Sequence, residues 1–172
     1  TVNLYELARD LEAQGVGLPV LLRFSDILRS RIELLHEKFV AAIQEFEYTG
    51  TYTTVYPIKV NQQRQVVQEV LDFGRPYGFG LEAGSKPELL AVVAVADNDT
   101  PIICNGFKED RYIEFVTLAA KLGRTIIPVI ENLAELRLIV KHAEKYQIRP
   151  KIGVRVNLAT PGAGRWRPSP GG

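Results

Sequence analysis

Thr51-Tyr52-Thr53-Thr54-Val55-Tyr56-Pro57-Ile58-Lys59-Val60 is a β-prone run, and a helical pattern takes over directly after it, from Gln62 to Phe73, stopped by Gly74. A strand, a polar tip and a helix make one unit, and the rest of the chain repeats it. Tyr77 to Leu81 reads as the next strand. Ser85-Lys86-Pro87-Glu88 then opens a helix that reaches Ala96, with serine as N-cap, proline in the first turn and glutamate at N3. Pro101 to Cys104 reads as a short buried strand, and Glu109 to Leu122 as a helix ended by Gly123. Thr125 to Ile130 is a strand, and Asn132 caps a helix running to Gln147. Lys151 to Asn157, after Pro150, is the fifth strand.

A polar residue stands where each strand ends: Lys59, Glu82, Asn105, Glu131 and Arg155, separated by 23, 23, 26 and 24 residues. An eight-unit barrel of about 250 residues needs roughly 31 residues per unit, insertions included, so compact units of this length fit. Strands alternating with helices demand a parallel sheet with right-handed crossovers. Side chains at the carboxyl ends of such strands converge on one mouth. Five strands cannot close an eight-stranded barrel, and an open half leaves a parallel edge bare. The expected fold class is therefore α/β: residues 51–172 form a partial (β/α)8 TIM-type barrel of about five strands, the front part of a longer enzyme. Residues 1–50 form a different, N-terminal segment. There Pro19 to Phe24 reads as a strand, and Ser25 as the cap of a long amphipathic helix to Phe46, ended as a unit by Gly50. Its apolar face is Ile27, Leu28, Ile32, Leu35, Phe39, Ala42 and Ile43.

Bulk composition narrows the function classes. With 172 residues there is room for one domain with a real core, and 46% apolar with 24% charged residues is ordinary for a soluble globular protein. A net charge of +1 offers no argument for nucleic acid or an anionic membrane, and no apolar run is long enough to span a bilayer. Cys104 is the single cysteine, so no intrachain disulfide forms within these residues and a reducing compartment, the cytoplasm, is expected. Thr1 to Val20 lacks the basic-then-apolar order of a signal peptide. His36 and His142 have no partner at metal-ligand spacing, so the residues suggest no metal site.

Lys59 carries the chemical argument. Most lysines are solvated surface groups. A lysine at the mouth of a strand can instead be withdrawn from water and become a nucleophilic amine. Glu82, at the next tip, reads either as a carboxylate holding or relaying the lysine proton, or as an acidic group favoured by the following helix dipole. Arg155 alternates with apolar residues in Ile152-Gly153-Val154-Arg155-Val156-Asn157. Pointing into a barrel mouth it would bind an anion or phenolate oxygen, and inward charge is expensive unless used. Asn105, Lys108 and Glu131 either line the mouth or, the simpler reading, cap their helices or face solvent, and Cys104 reads as a small core residue. Pro161-Gly162-Ala163-Gly164-Arg165-Trp166 is a glycine-rich loop that folds over a ligand, cradles an anion or simply stays loose. Gly78-Phe79-Gly80 with Gly84 is a loose dinucleotide fingerprint, discounted because its spacing is off and two glycines fall inside the expected strand.

These segments together resemble a known family. Val55-Tyr56-Pro57-Ile58-Lys59-Val60-Asn61-Gln62 closely resembles the cofactor-lysine segment of biosynthetic arginine decarboxylases, pyridoxal-phosphate enzymes with an alanine-racemase-like barrel. Gly80-Leu81-Glu82-Ala83-Gly84-Ser85-Lys86-Pro87-Glu88-Leu89 looks like their second motif, and Cys104-Asn105-Gly106-Phe107-Lys108 like their third strand tip. Gly153-Val154-Arg155 and Gly162-Ala163-Gly164-Arg165-Trp166 are similar to the fifth strand and its following loop, with Ala163 and Arg165 as mild departures. The likeness runs from Leu4 to Gly172. Sister decarboxylases for ornithine and diaminopimelate share the Lys59-type tip but less of the surrounding wording.

The resemblance implies that Lys59 anchors pyridoxal phosphate, that Arg155 lies by the phenolic oxygen of its ring, and that Glu82 sits beside the lysine nitrogen. It implies L-arginine as substrate, agmatine and carbon dioxide as products, polyamine synthesis as the setting, a homo-oligomer (dimer or tetramer) and, as a further possibility, Mg2+. The remaining site residues of such enzymes lie beyond Gly172, so the fragment alone is expected to be inactive. Competing readings are a decarboxylase for ornithine, lysine or diaminopimelate, a non-catalytic pyridoxal-phosphate barrel, and an unrelated dinucleotide-binding module.

Overall fold

A computed structural model describes residues 1–156. Five parallel strands, β1 (Val55–Pro57), β2 (Gly80–Ala83), β3 (Ile102–Cys104), β4 (Ile126–Ile130) and β5 (Gly153–Val154), stand side by side in chain order. Helices α3 (Arg64–Gly74), α4 (Lys86–Val95), α5 (Asp110–Lys121) and α6 (Leu133–Tyr146) connect them, preceded by α1 (Leu4–Ala13) and α2 (Ser25–Glu45). Strand order decides between the two parallel architectures. A doubly wound dinucleotide fold reverses its strand order at a switch point, whereas a barrel winds in one direction. This sheet runs β1-β2-β3-β4-β5 without reversal, which is barrel winding and disposes of the dinucleotide-module reading.

Register assigns each side chain to a face. Leu81 pairs with Ile102 and Ile102 with Ile126, while Glu82 pairs with Ile103 and Ile103 with Ile127. Because side chains alternate along a strand, Leu81, Ala83, Ile102, Cys104 and Ile126 share the face packed on the helices. All five are buried, together with Leu89, Val92, Tyr112 and Val116 from α4 and α5. The opposite face carries Pro57, Glu82, Ile103, Ile127, Val129 and Gly153. On it Ile103, Ile127 and Val129 are only half-buried. That is the exposure of an inward barrel face on a sheet that these five strands do not close.

Several boundaries differ from the sequence reading for physical reasons. The first strand is shorter than Thr51 to Val60: it ends at Pro57, which has no N–H for the ladder, and Ile58–Val60 tightens into a 3-10 turn. Tyr77 is not in β2. Arg75–Tyr77 is another 3-10 turn, Gly78 turns the chain at φ 68, and the strand starts at Gly80. Glu82 therefore lies inside the strand rather than past its end. Pro19 to Phe24 forms no strand, since no neighbouring strand among the described residues offers it a ladder. Ser25 is the first residue of α2 rather than its cap, and its hydroxyl donates instead to Glu69 on α3, at 2.8 Å. The α2 stripe is only partly covered: Ile32 is buried against Val70 and Phe79, but Ile27, Leu35 and Phe39 are exposed. Helix α1 had no place in the sequence reading. Asn3 caps it, its side chain accepting from the N–H groups of Tyr5 and Glu6.

The expected caps of α4 and α6 are present. Ser85 accepts from Glu88 N–H and Asn132 from Glu135 N–H. Asn157 and the Pro161–Trp166 loop lie outside the described residues.

Candidate active site

The inward face ends in a ring of polar residues. Continuing the alternation past β2 to β5 places Gly84, Asn105, Glu131 and Arg155 on the same side as Glu82, and the 3-10 turn after β1 brings Lys59 to the same mouth. Lys59, Glu82, Gly84, Glu88, Asn105, Gly106, Val129 and Arg155 line one cavity of about 530 Å³ at the carboxyl ends of the strands. Four of the five tips read from the sequence line it, and the fifth, Glu131, reaches it through its hydrogen bond with Arg155, although nearly a hundred residues separate the first tip from the last.

Each tip is held differently. Lys59 sits in the 3-10 turn after β1 and is exposed, so residues 1–156 do not supply the withdrawal from water expected for it. Glu82 is buried, at 6% exposure. Asn105 donates its side-chain N–H to Glu82 Oε1 at 3.1 Å, while Oε2 is buried with no protein partner. An unmatched buried polar atom costs about 1–3 kcal/mol, and this one belongs to a side chain that lines the cavity. Arg155 follows β5, where its N–H donates to Ile130 O at 2.9 Å, and its guanidinium donates to Glu131 Oε1 at 3.0 Å. Both partners are partly exposed, so this pair orients Arg155 more than it stabilises the fold.

The walls behind the ring are tightly built. Gly106 has φ +73, and a Cβ there would collide with the Gly84 carbonyl oxygen, so the turn after β3 packs directly on the turn after β2. Tyr112 of α5 donates its buried hydroxyl to Ala83 O at 3.0 Å. Burial, and behind it the neighbouring Cys104, raises the Tyr112 phenol well above the ordinary value. The Cys104 thiol is pushed up to about 12, chiefly by burial, which suits a core residue.

Asn105, Lys108 and Glu131 are more than the caps and solvated groups that the sequence suggested. Asn105 and Glu131 are the partners of Glu82 and Arg155, and Lys108 is 1% exposed beside an equally hidden Glu135. The two-residue alternation that places Glu82 on the inward face could have found Asn105 and Glu131. The Asn132 to Glu135 spacing, that of a capping box, could have flagged Glu135. Among the described residues no three His, Cys, Asp or Glu side chains converge as a metal site requires.

Comparison with known proteins agrees with this geometry. Residues 32–167 match the family described as pyridoxal-dependent decarboxylase, pyridoxal binding domain. Across 99% of the chain, identity is 53% with a biosynthetic arginine decarboxylase of Gloeobacter violaceus and 49% with one of Rhodopirellula baltica. The chain spans about a quarter of the length of these relatives, 27% and 26% respectively. Among solved structures, the biosynthetic arginine decarboxylase of Campylobacter jejuni superposes with a TM-score of 0.83 at 37% identity, over 91% of this chain and 27% of that one. A diaminopimelate decarboxylase from M. jannaschi gives 0.56 at 18% identity, over 75% of this chain and 29% of its own, a likeness of fold alone. One-way strand winding, a lysine at the first strand tip and a match over most of the length lead to one conclusion: the chain belongs to the pyridoxal-dependent decarboxylases and contains their pyridoxal-binding domain.

Proposed function

We propose that this chain is the front part of a pyridoxal-phosphate enzyme that decarboxylates L-arginine to agmatine. The observation that carries the proposal is the meeting of Lys59, Glu82 and Arg155, from three separate strand ends, around one cavity. Their chemistry fits the cofactor: a primary amine, an unmatched buried carboxylate oxygen and a guanidinium. When bound, pyridoxal phosphate supplies an electron sink for the charge left at Cα as carbon dioxide departs. Lys59 Nζ is the nucleophile that would hold the aldehyde carbon. The Arg155 guanidinium presents N–H groups suited to an anionic ring oxygen, with Glu131 fixing its direction. Glu82 Oε2 is the free acceptor that would hold a proton beside the Lys59 nitrogen.

Arginine as the substrate is supported by the names of relatives at 53% and 49% identity and of the C. jejuni structure. The full-length polypeptide is further proposed to assemble into a homo-oligomer. A cytoplasmic location suits the one free, buried cysteine. Purified full-length protein supplied with pyridoxal phosphate and L-arginine should release agmatine, and the 172-residue chain alone should not. Agmatine from the short chain would refute the incompleteness of its site. Turnover of ornithine or lysine in preference to arginine would refute the substrate.

A further inference from the structure

Four backbone and side-chain links join the two residues that hold Glu82 and Arg155, and all four pass through one buried ion pair. Glu135, in the first turn of α6, accepts the N–H of Lys108 on Oε1 at 3.2 Å and the N–H of Glu131 on Oε2 at 2.9 Å. Lys108 Nζ donates to Gly106 O at 2.6 Å and lies 3.8 Å from Glu135 Oε2. The side chains are 0% and 3% exposed. Gly106 follows Asn105 and packs on Gly84. The loops after β2, β3 and β4 are therefore fixed to one another at this pair. The loop after β3 carries Asn105, the donor to Glu82, and the loop after β4 carries Glu131, the acceptor for Arg155.

Glu135, from the first turn of α6, satisfies two loop N–H groups, but the buried lysine facing it adds little stability of its own. Two charges out of water gain little over well-packed apolar residues of the same volume. Buried charge earns its place when it fixes geometry that apolar contacts leave loose, and a misplacement of about 1 Å at reacting groups can cost about 10²-fold in rate. We infer that Lys108 and Glu135 are positioning residues, setting Asn105 and Glu131 and through them the directions of Glu82 and Arg155 toward the cofactor. The inference rests on the reading of Lys59, Glu82 and Arg155 given above.

The test uses the full-length enzyme loaded with pyridoxal phosphate, in three variants. The double substitution Lys108→Met with Glu135→Gln removes the pair without leaving a buried charge unmatched. Asn105→Ala and Glu131→Gln remove the two arms singly at less buried positions. In the double variant kcat should fall about 10²-fold with KM within a few-fold, and the visible circular dichroism of the bound cofactor should change. Each arm variant should lower kcat at least tenfold, and combining either arm with the double variant should give less than the product of the separate losses. A double variant with lowered thermal midpoint but unchanged kcat and cofactor dichroism would show a merely structural pair and overturn the inference. If the double variant does not fold, Glu135→Gln alone, which keeps one acceptor for the two loop N–H groups, decides: unchanged kcat and dichroism overturn the inference, and a lowered kcat with altered dichroism at near-normal KM sustains it. Wild-type protein that forms no visible cofactor band overturns the underlying functional reading instead. A normal wild-type band with silent variants overturns the positioning role alone.

Discussion

Glu82 shows what a single position can and cannot reveal before the fold is known. Its place near a strand end was legible and two readings of it stood level; the structure buries it with one oxygen held by Asn105 and the other unmatched. Replacing it by Gln would keep the Asn105 contact within reach and remove the charge. Loss of about 10²-fold in kcat of the full-length enzyme is expected, the scale of a positioned proton-transfer group. An unchanged rate would remove Glu82 from the chemistry. Lys108 was the harder case, because its partner lies 27 residues away and meets it only through the β3 and β4 crossovers. Cys104 gives a contrasting expectation. With its thiol raised to about 12 by burial, it should resist alkylation at pH 8 in the folded protein and react only on unfolding. Rapid labelling of the native state would contradict that placement.

Elements were legible wherever periodicity and caps agreed. Ser85 with Glu88 and Asn132 with Glu135 located two helix starts, because the capping geometry is local. Strand limits were not local. Pro57 cut β1 short, and Gly78 delayed β2. Pro19–Phe24 shows that β-prone composition makes no strand without a partner to pair with. Helices α5 and α6 are clasped by charges that sequence spacing did not reveal. Glu114 lies 2.7 Å from Lys145 and accepts from the Tyr146 hydroxyl at 2.6 Å. Those contacts, Lys145 first, lower its carboxyl from the ordinary 4.5 to about 2. A carboxyl lowered on folding adds stability that is fully present above about pH 4.5 and disappears as the pH falls through about 2. Wild type should therefore melt above Glu114→Gln at pH 6, and the gap should close near pH 2. A gap independent of pH would contradict the clasp. Gly106→Ala should cost about 1–3 kcal/mol, since φ +73 and the Gly84 carbonyl both oppose a side chain. Urea unfolding would measure it.

At the scale of the whole molecule, the near-even spacing of polar tips fitted a barrel, and the one-directional strand order is what separates it from the doubly wound alternative. What spacing could not supply is closure. The inward residues Ile103, Ile127 and Val129 stay half-buried and Lys59 exposed at a mouth that the described residues leave open. The central claim is that Lys59 is the residue to which pyridoxal phosphate is attached. Borohydride reduction of the full-length protein loaded with pyridoxal phosphate, followed by peptide mapping, tests it most directly. A reduced pyridoxyl label on Lys59, and none there after Lys59→Ala, is the predicted result. A label on any other lysine of the wild-type protein would contradict the account.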